Sequence, residues 1–175
     1  CDWYSSTSYL PDNFEGFIDS ALQNIYVDQW TFERRPARYR FTLAHEVGHF
    51  ILHRKIYEAV SFRSIKEWKQ FLHLIPEKEH SLLEWQAYTF AGLVLVPEEP
   101  LKTALLRRAA HFKRTFETAC QSGKHATTRQ DFEAYFWDRA REVLYAELGK
   151  EFDVSRAVIR KRLDFDELQL GPGAS

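Results

Sequence analysis

The amino-acid sequence predicts an α+β domain in which a small mixed β-sheet packs on a mainly helical body. Two observations carry that expectation. Two short segments rich in aromatic and β-branched residues, 14–19 and 23–28, read as strands, and from residue 37 onward the patterns are helical rather than alternating. Strands first and helices afterwards is the order of an α+β chain, not of an α/β chain that alternates throughout.

Residues 1–13 are polar and turn-rich, with Ser5, Ser6, Ser8, Pro11, Asp12 and Asn13, and read as an irregular lead-in. Ser20, Ala21 and Leu22 make a tight connection between the two strands. Pro36 precedes a helical pattern over 37–53 that is apolar on nearly every face (Phe41, Leu43, Ala44, Val47, Phe50, Ile51, Leu52), as expected of a helix buried in the middle of a domain. A charged, aromatic stretch over 55–79 leads to a second helix, 81–96, with Leu83, Ala87, Phe90, Ala91 and Val94 at helical spacing. Pro97 ends it. A third helix follows to about residue 119, with Glu98 and Glu99 suited to the positive end of its dipole. Beyond a polar loop over 121–128, residues 130–151 and 155–163 give a fourth and a fifth helical pattern, the last capped by Ser155. One domain over 14–165 results, with a late helix-turn-helix-like pair over 145–163 and a tail over 166–175.

At 175 residues, the chain can bury about 70% of the surface its unfolded form exposes. Apolar residues at 45% and aromatics at 15% exclude a disordered regulator or a collagenous chain. The 24 basic and 25 acidic residues nearly cancel, so no global field draws the chain to nucleic acid or anionic lipid. The longest apolar stretch, 91–97, is too short to cross a bilayer. No secretory signal pattern opens the chain, and Cys1 and Cys120 form neither a zinc pair nor a disulfide framework; both points favour a reducing, cytoplasmic home. Methionine is absent altogether, which reads as a processed or excised piece of a longer chain.

The chemistry lies in His45-Glu-Val-Gly-His49, which fits H-E-x-x-H. Residues four apart on a helix are about 40° apart around its axis, so two imidazoles reach one metal ion from the same face. Glu46 is left beside the metal as a base toward water whose pKa zinc lowers to about 7. The bland alternative is a helix with two ordinary histidines. Burying two imidazoles and a carboxylate among apolar neighbours is costly without a purpose, which favours the metal. Gly48 costs about 1 kcal/mol relative to alanine in a helix and is explained if a neighbour packs close there.

A catalytic zinc takes three protein ligands and keeps one position open. Lys55 stands where a metzincin would have its third histidine. His53, one turn further along, is too far round to share the tetrahedron and reads as structural. A carboxylate from the second helix remains. Glu84, beside Ala87 and Ala91, is best placed; Glu77, Glu79, Glu98 and Glu99 lie in polar surroundings that suit solvated side chains.

These residues resemble the ImmA/IrrE family of metallo-endopeptidases. The family pattern R-x-R-F-T-L-A-H-E-[LIV]-[GS]-H is met by Arg38-Tyr-Arg-Phe-Thr-Leu-Ala-His-Glu-Val-Gly-His49, with the frequent later histidine at His53. The second block, E-x-x-A-x-x-F-A-x-x-L-L-x-P, is met by Glu84-Trp-Gln-Ala-Tyr-Thr-Phe-Ala-Gly-Leu-Val-Leu-Val-Pro97, with Val96 where methionine is usual. Similarity covers about residues 14–163, including Phe152-Asp-Val-Ser155 and Arg162-Leu163. The stretch between the blocks is longer and more aromatic than in the family. The resemblance implies a zincin-like fold with a buried H-E-x-x-H helix. It implies His45, His49 and Glu84 as zinc ligands and Glu46 as catalytic base; two imidazoles and a carboxylate suit zinc, with manganese or iron as substitutes. It further implies a protein substrate, a helix-turn-helix transcriptional repressor, cut to derepress stress, phage or mobile-element genes.

Two other classes of function stay open at this stage. One is a metal-containing binding module that sequesters a repressor without cutting it. The other is a DNA-binding regulator using 145–163, with Arg156, Arg160, Lys161 and Arg162 offered to phosphate. The apolar spacing of Ala157, Val158 and Leu163 favours a packed helix pair over direct contact with nucleic acid. Nothing in the sequence places Tyr88 or His80 near the metal as oxyanion donors, and surface or core roles suit them better.

Overall fold

Phe17 and Tyr26 face each other across a two-stranded ladder and stack, their ring centroids 4.7 Å apart. The ladder joins β1 (Gly16–Ile18) to β2 (Ile25–Val27), Gly16 opposite Val27 and Ile18 opposite Ile25, in a computed structural model that describes residues 16–19, 23–59, 65–122 and 128–168. The sheet expected to be mixed is antiparallel among the described residues. A connection over 19–24 is too short for the crossover that parallel strands need. The Asp19 carboxylate ties that connection, accepting the backbone N–H groups of Gln23 and Asn24 at 2.9 and 3.3 Å. The expected turn at 20–22, the lead-in over 1–13 and the part of the 166–175 tail beyond 168 lie outside the described residues.

The chain divides into two compact units, residues 1–91 and 92–175. The first holds the sheet, α1 (Gln29–Arg34), α2 (Pro36–Leu52), α3 (Arg54–Glu58), α4 (Ile65–Leu74) and most of α5 (Glu77–Leu95). Helix α1 starts at Asp28, whose carboxylate accepts the Thr31 N–H at 2.7 Å, an N-cap in a stretch with too few apolar residues to show periodicity. Pro36 opens α2, where its missing N–H costs nothing. Helices α3 and α4 occupy most of the charged stretch that periodicity left unassigned. Helix α5 begins four residues earlier than expected, with Glu77 and Glu79 in its first turn beside the positive dipole end.

Burial of α2 is one-sided, and the buried side carries most of the chemistry-bearing polar residues. Phe41, Thr42, Glu46, Gly48 and His49 are buried, whereas Ile51 and Leu52 are 54% and 49% exposed. The expectation of a helix covered on every face is therefore corrected. Apolar content marked the helix but not its inward face, which is set by what packs on it. Gly48 supplies that contact. A Cβ there would meet Ala87 Cα at 3.2 Å, Ala87 O at 3.3 Å and Phe90 Cδ1 at 3.1 Å, so α2 and α5 touch backbone to side at this point.

The second unit contains the end of α5, α6 (Glu98–Gln121), α7 (Arg129–Glu151) and α8 (Arg156–Phe165). Leu101, Ala104, Leu105, Leu144, Leu148, Ile159 and Leu163 are among the residues of its core, and Leu168 of the expected tail packs against it. Helix α7 ends in a Schellman turn: Val154 N–H donates to Gly149 O at 2.9 Å, Asp153 takes the left-handed φ of 51°, and Ser155 then caps α8. In α8 the packing positions are Ile159 and Leu163 rather than Ala157, which is exposed. Arg162 is buried, donating to Val96 O at 3.1 Å and pairing both terminal nitrogens with Asp166 at 2.8 and 2.7 Å. No helix among the described residues is long and apolar enough to cross a membrane.

The Gly48 contact yields a sign-sensitive prediction. In an open helix Gly→Ala stabilises by about 1 kcal/mol. Here the new methyl meets helix backbone, which cannot rotate away, so Gly48→Ala is expected to destabilise by about 1–3 kcal/mol in denaturant unfolding. A stabilised variant would show that α2 and α5 are not held this close.

Candidate metal centre

Helix geometry brings His45 and His49 onto one face of α2, with their Nε2 atoms 3.0 Å apart. Helix α5 supplies Glu84, two turns in from its start. Its Oε2 lies 3.3 Å from His45 Nε2 and its Oε1 3.4 Å from His49 Nε2. A tetrahedral ion with bonds of about 2.0–2.1 Å spaces its donor atoms by about 3.3 Å, so the residues present fit zinc. The chemistry of the set points the same way. Two imidazoles and one carboxylate offer three lone pairs to one small volume, where a cation in the middle relieves their repulsion. Glu77 and Glu79 are exposed at the start of α5, Glu98 and Glu99 pair with Lys102 at the start of α6, and none of the four joins the cluster.

Glu46 lies beside this cluster and not in it. It is only 6% exposed, and burial pushes its carboxyl up from 4.5 to about 7, with His45 opposing the rise and Glu84 adding to it. A hydrogen bond from the Ile18 backbone in β1 holds it. Gly16 permits that approach, since a Cβ there would meet Thr42 Cγ2 at 2.6 Å and Glu46 Cγ at 3.6 Å. Burial pushes the His49 imidazole below its ordinary range, so a proton competes less for its ring nitrogen. Burial alone would raise Glu84, but the His45 and His49 imidazoles beside it, where protonated, donate to its carboxyl and hold it far below the usual range.

Four further side chains surround the cluster. His53 is buried and hydrogen-bonds both His49 and Gln86. The Tyr88 ring meets His45 edge-on at 4.8 Å, and His80 Nε2 lies 3.8 Å from Glu84 Oε1, so both sit at the site and not in unrelated positions. Tyr57 of α3 is buried 6.1 Å from the His49 ring, its hydroxyl pushed up by burial and by the Glu46 and Glu84 charges. Sequence reasoning missed Tyr57 and Gln86. The only signal for Gln86 was an amide in a run where Tyr88 and Thr89 are the only other side chains between Trp85 and Val96 able to form hydrogen bonds.

A peptidase family model described as the IrrE N-terminal-like domain matches residues 24–164, most of the chain and all of the cluster. No curated protein and no solved structure matches significantly.

The Glu46 environment makes a stability prediction for the metal-free protein. The folded state keeps the Glu46 proton up to about pH 7, whereas an unfolded carboxyl releases it near 4.5. Between those values the fold binds more protons than the unfolded chain, so this group's contribution to stability falls as pH rises. Glu46→Gln removes it. The variant is therefore expected to gain on wild type between pH 4.5 and pH 7.5, by on the order of 3 kcal/mol at about 1.4 kcal/mol per unit. Chelator-treated samples unfolded in urea at both pH values measure the gain; a pH-independent difference would contradict the burial argument.

Proposed function

Because this chain belongs to the family of IrrE N-terminal-like peptidase domains, we propose that it is a zinc-dependent endopeptidase. The observation that carries the reading is the convergence of His45 Nε2, His49 Nε2 and the Glu84 carboxylate, with the protonatable carboxyl of Glu46 beside them and not among them. His45, His49 and Glu84 would hold the ion, which supplies Lewis acidity toward water and the scissile carbonyl. Two imidazoles and a carboxylate suit zinc, and manganese or iron could take its place.

Glu46 does the proton work. This buried carboxyl beside the cluster would accept a proton from the attacking water and return it to the leaving amine. The Ile18 backbone orients it from the strand side, and the α2 backbone fixes it one residue from His45. An extended substrate segment would pair along the small sheet, beside β1, by strand addition. A helix-turn-helix repressor as substrate rests on the sequence resemblance, and the cytoplasm as the place of cleavage rests on that substrate and on the absence of a secretory pattern in the sequence. The DNA-binding reading loses support because Arg162, one of its four cations, is spent on Asp166 and Val96.

Separate substitutions at the three ligands and at the base test the assignment. His45→Ala, His49→Ala and Glu84→Ala are each expected to lose zinc by elemental analysis. Glu46→Gln is expected to keep zinc and partner binding but lose about two to four orders of magnitude in turnover. Wild-type cleavage by Glu46→Gln would sink the mechanism. A wild type that binds its partner with zinc present yet never cuts it would transfer the case to sequestration.

A further inference from the structure

Beside the metal centre runs a chain of three polar side chains. His49 turns Nε2 toward His45 and Glu84, and its other ring nitrogen, Nδ1, lies 2.9 Å from His53 Nδ1. On the far side of the His53 ring, Nε2 lies 2.8 Å from Gln86 Oε1. His53 closes α2 one turn beyond His49 and is 4% exposed, while Gln86 belongs to α5, the helix that also carries Glu84.

We propose that His53 and Gln86 are positioning residues that hold His49 in the one tautomer able to bind a metal, an inference that rests on the metal-centre reading above. A neutral imidazole has one N–H and one lone pair. The Gln86 carbonyl oxygen only accepts, so His53 carries its proton on Nε2. His53 Nδ1 is then a lone pair, and His49 must carry its own proton on Nδ1 to meet it. That leaves the His49 Nε2 lone pair bare and aimed at Glu84 and His45, ready for a cation. Fixing a ligand imidazole through its second nitrogen is a general way to raise metal affinity. The two ligands are unequal in this respect. His45 Nδ1 is buried and makes no hydrogen bond among the described residues. His49 is thus the ligand whose orientation is set in advance.

Zinc affinity by chelator competition, combined with nitrogen-15 NMR of the histidine rings, tests the proposal. His53→Leu is expected to weaken zinc binding about 10–100-fold. His53→Asn, whose side-chain oxygen accepts from near the position of Nδ1, is expected to stay within a few-fold of wild type. In the zinc-free wild type, NMR is expected to find the proton on Nε2 of His53 and on Nδ1 of His49. Wild-type zinc affinity in His49→Ala would overturn the metal-centre reading itself. Loss of zinc in His49→Ala with unchanged affinity in His53→Leu would overturn only the positioning role. So would an Asn variant no better than Leu, or a His53 proton on Nδ1. If His53→Leu fails to fold, the Asn variant and the wild-type spectrum decide.

Discussion

The repulsion among converging lone pairs is the constraint around which the first unit is built. His45 and His49 bring two ring nitrogens to 3.0 Å, and Glu84 adds a carboxylate at 3.3 and 3.4 Å. Glu46 lies close enough to feel the Glu84 charge. Unpaired, such a group of acceptors in a half-buried place is unfavourable. Protons on the imidazoles relieve part of it, and a divalent cation at the centre relieves all of it. Metal binding and local stability are therefore expected to be coupled.

Holding the donors at those distances demands close contact, and two glycines provide it. Gly48 lets α5 approach α2 against the backbone of Ala87, which fixes Glu84 opposite the histidine pair. Gly16 lets β1 press on Thr42 and brings the Ile18 backbone to Glu46. One contact sets the ligand triangle and the other sets the base. The short sheet is small for a protein fold, and its service to the site is local: it ends where Glu46 begins.

Much of this was legible before any coordinates. H-E-x-x-H implies a shared helix face because its spacing is one turn, and Gly48 announced a close neighbour through its intrinsic cost in a helix. The second block singled out Glu84. What stayed hidden depends on tertiary approach. Helices α1 and α3 are too short to show a period. The inward face of α2 could not be read from composition, because Thr42, Glu46 and His49 are among its buried positions and its exposed end carries Ile51 and Leu52. Gln86, Tyr57, His80 and Tyr88 reach the site through the packing of α3 and α5 on α2, which no local pattern encodes.

The central claim is the identity of the donor set, and zinc K-edge X-ray absorption on the zinc-loaded wild type tests it most directly. The account predicts only nitrogen and oxygen neighbours at about 2.0–2.1 Å, four in number, with the outer-shell signature of two imidazoles. Sulfur at about 2.3 Å, or the absence of imidazole scattering, would contradict it.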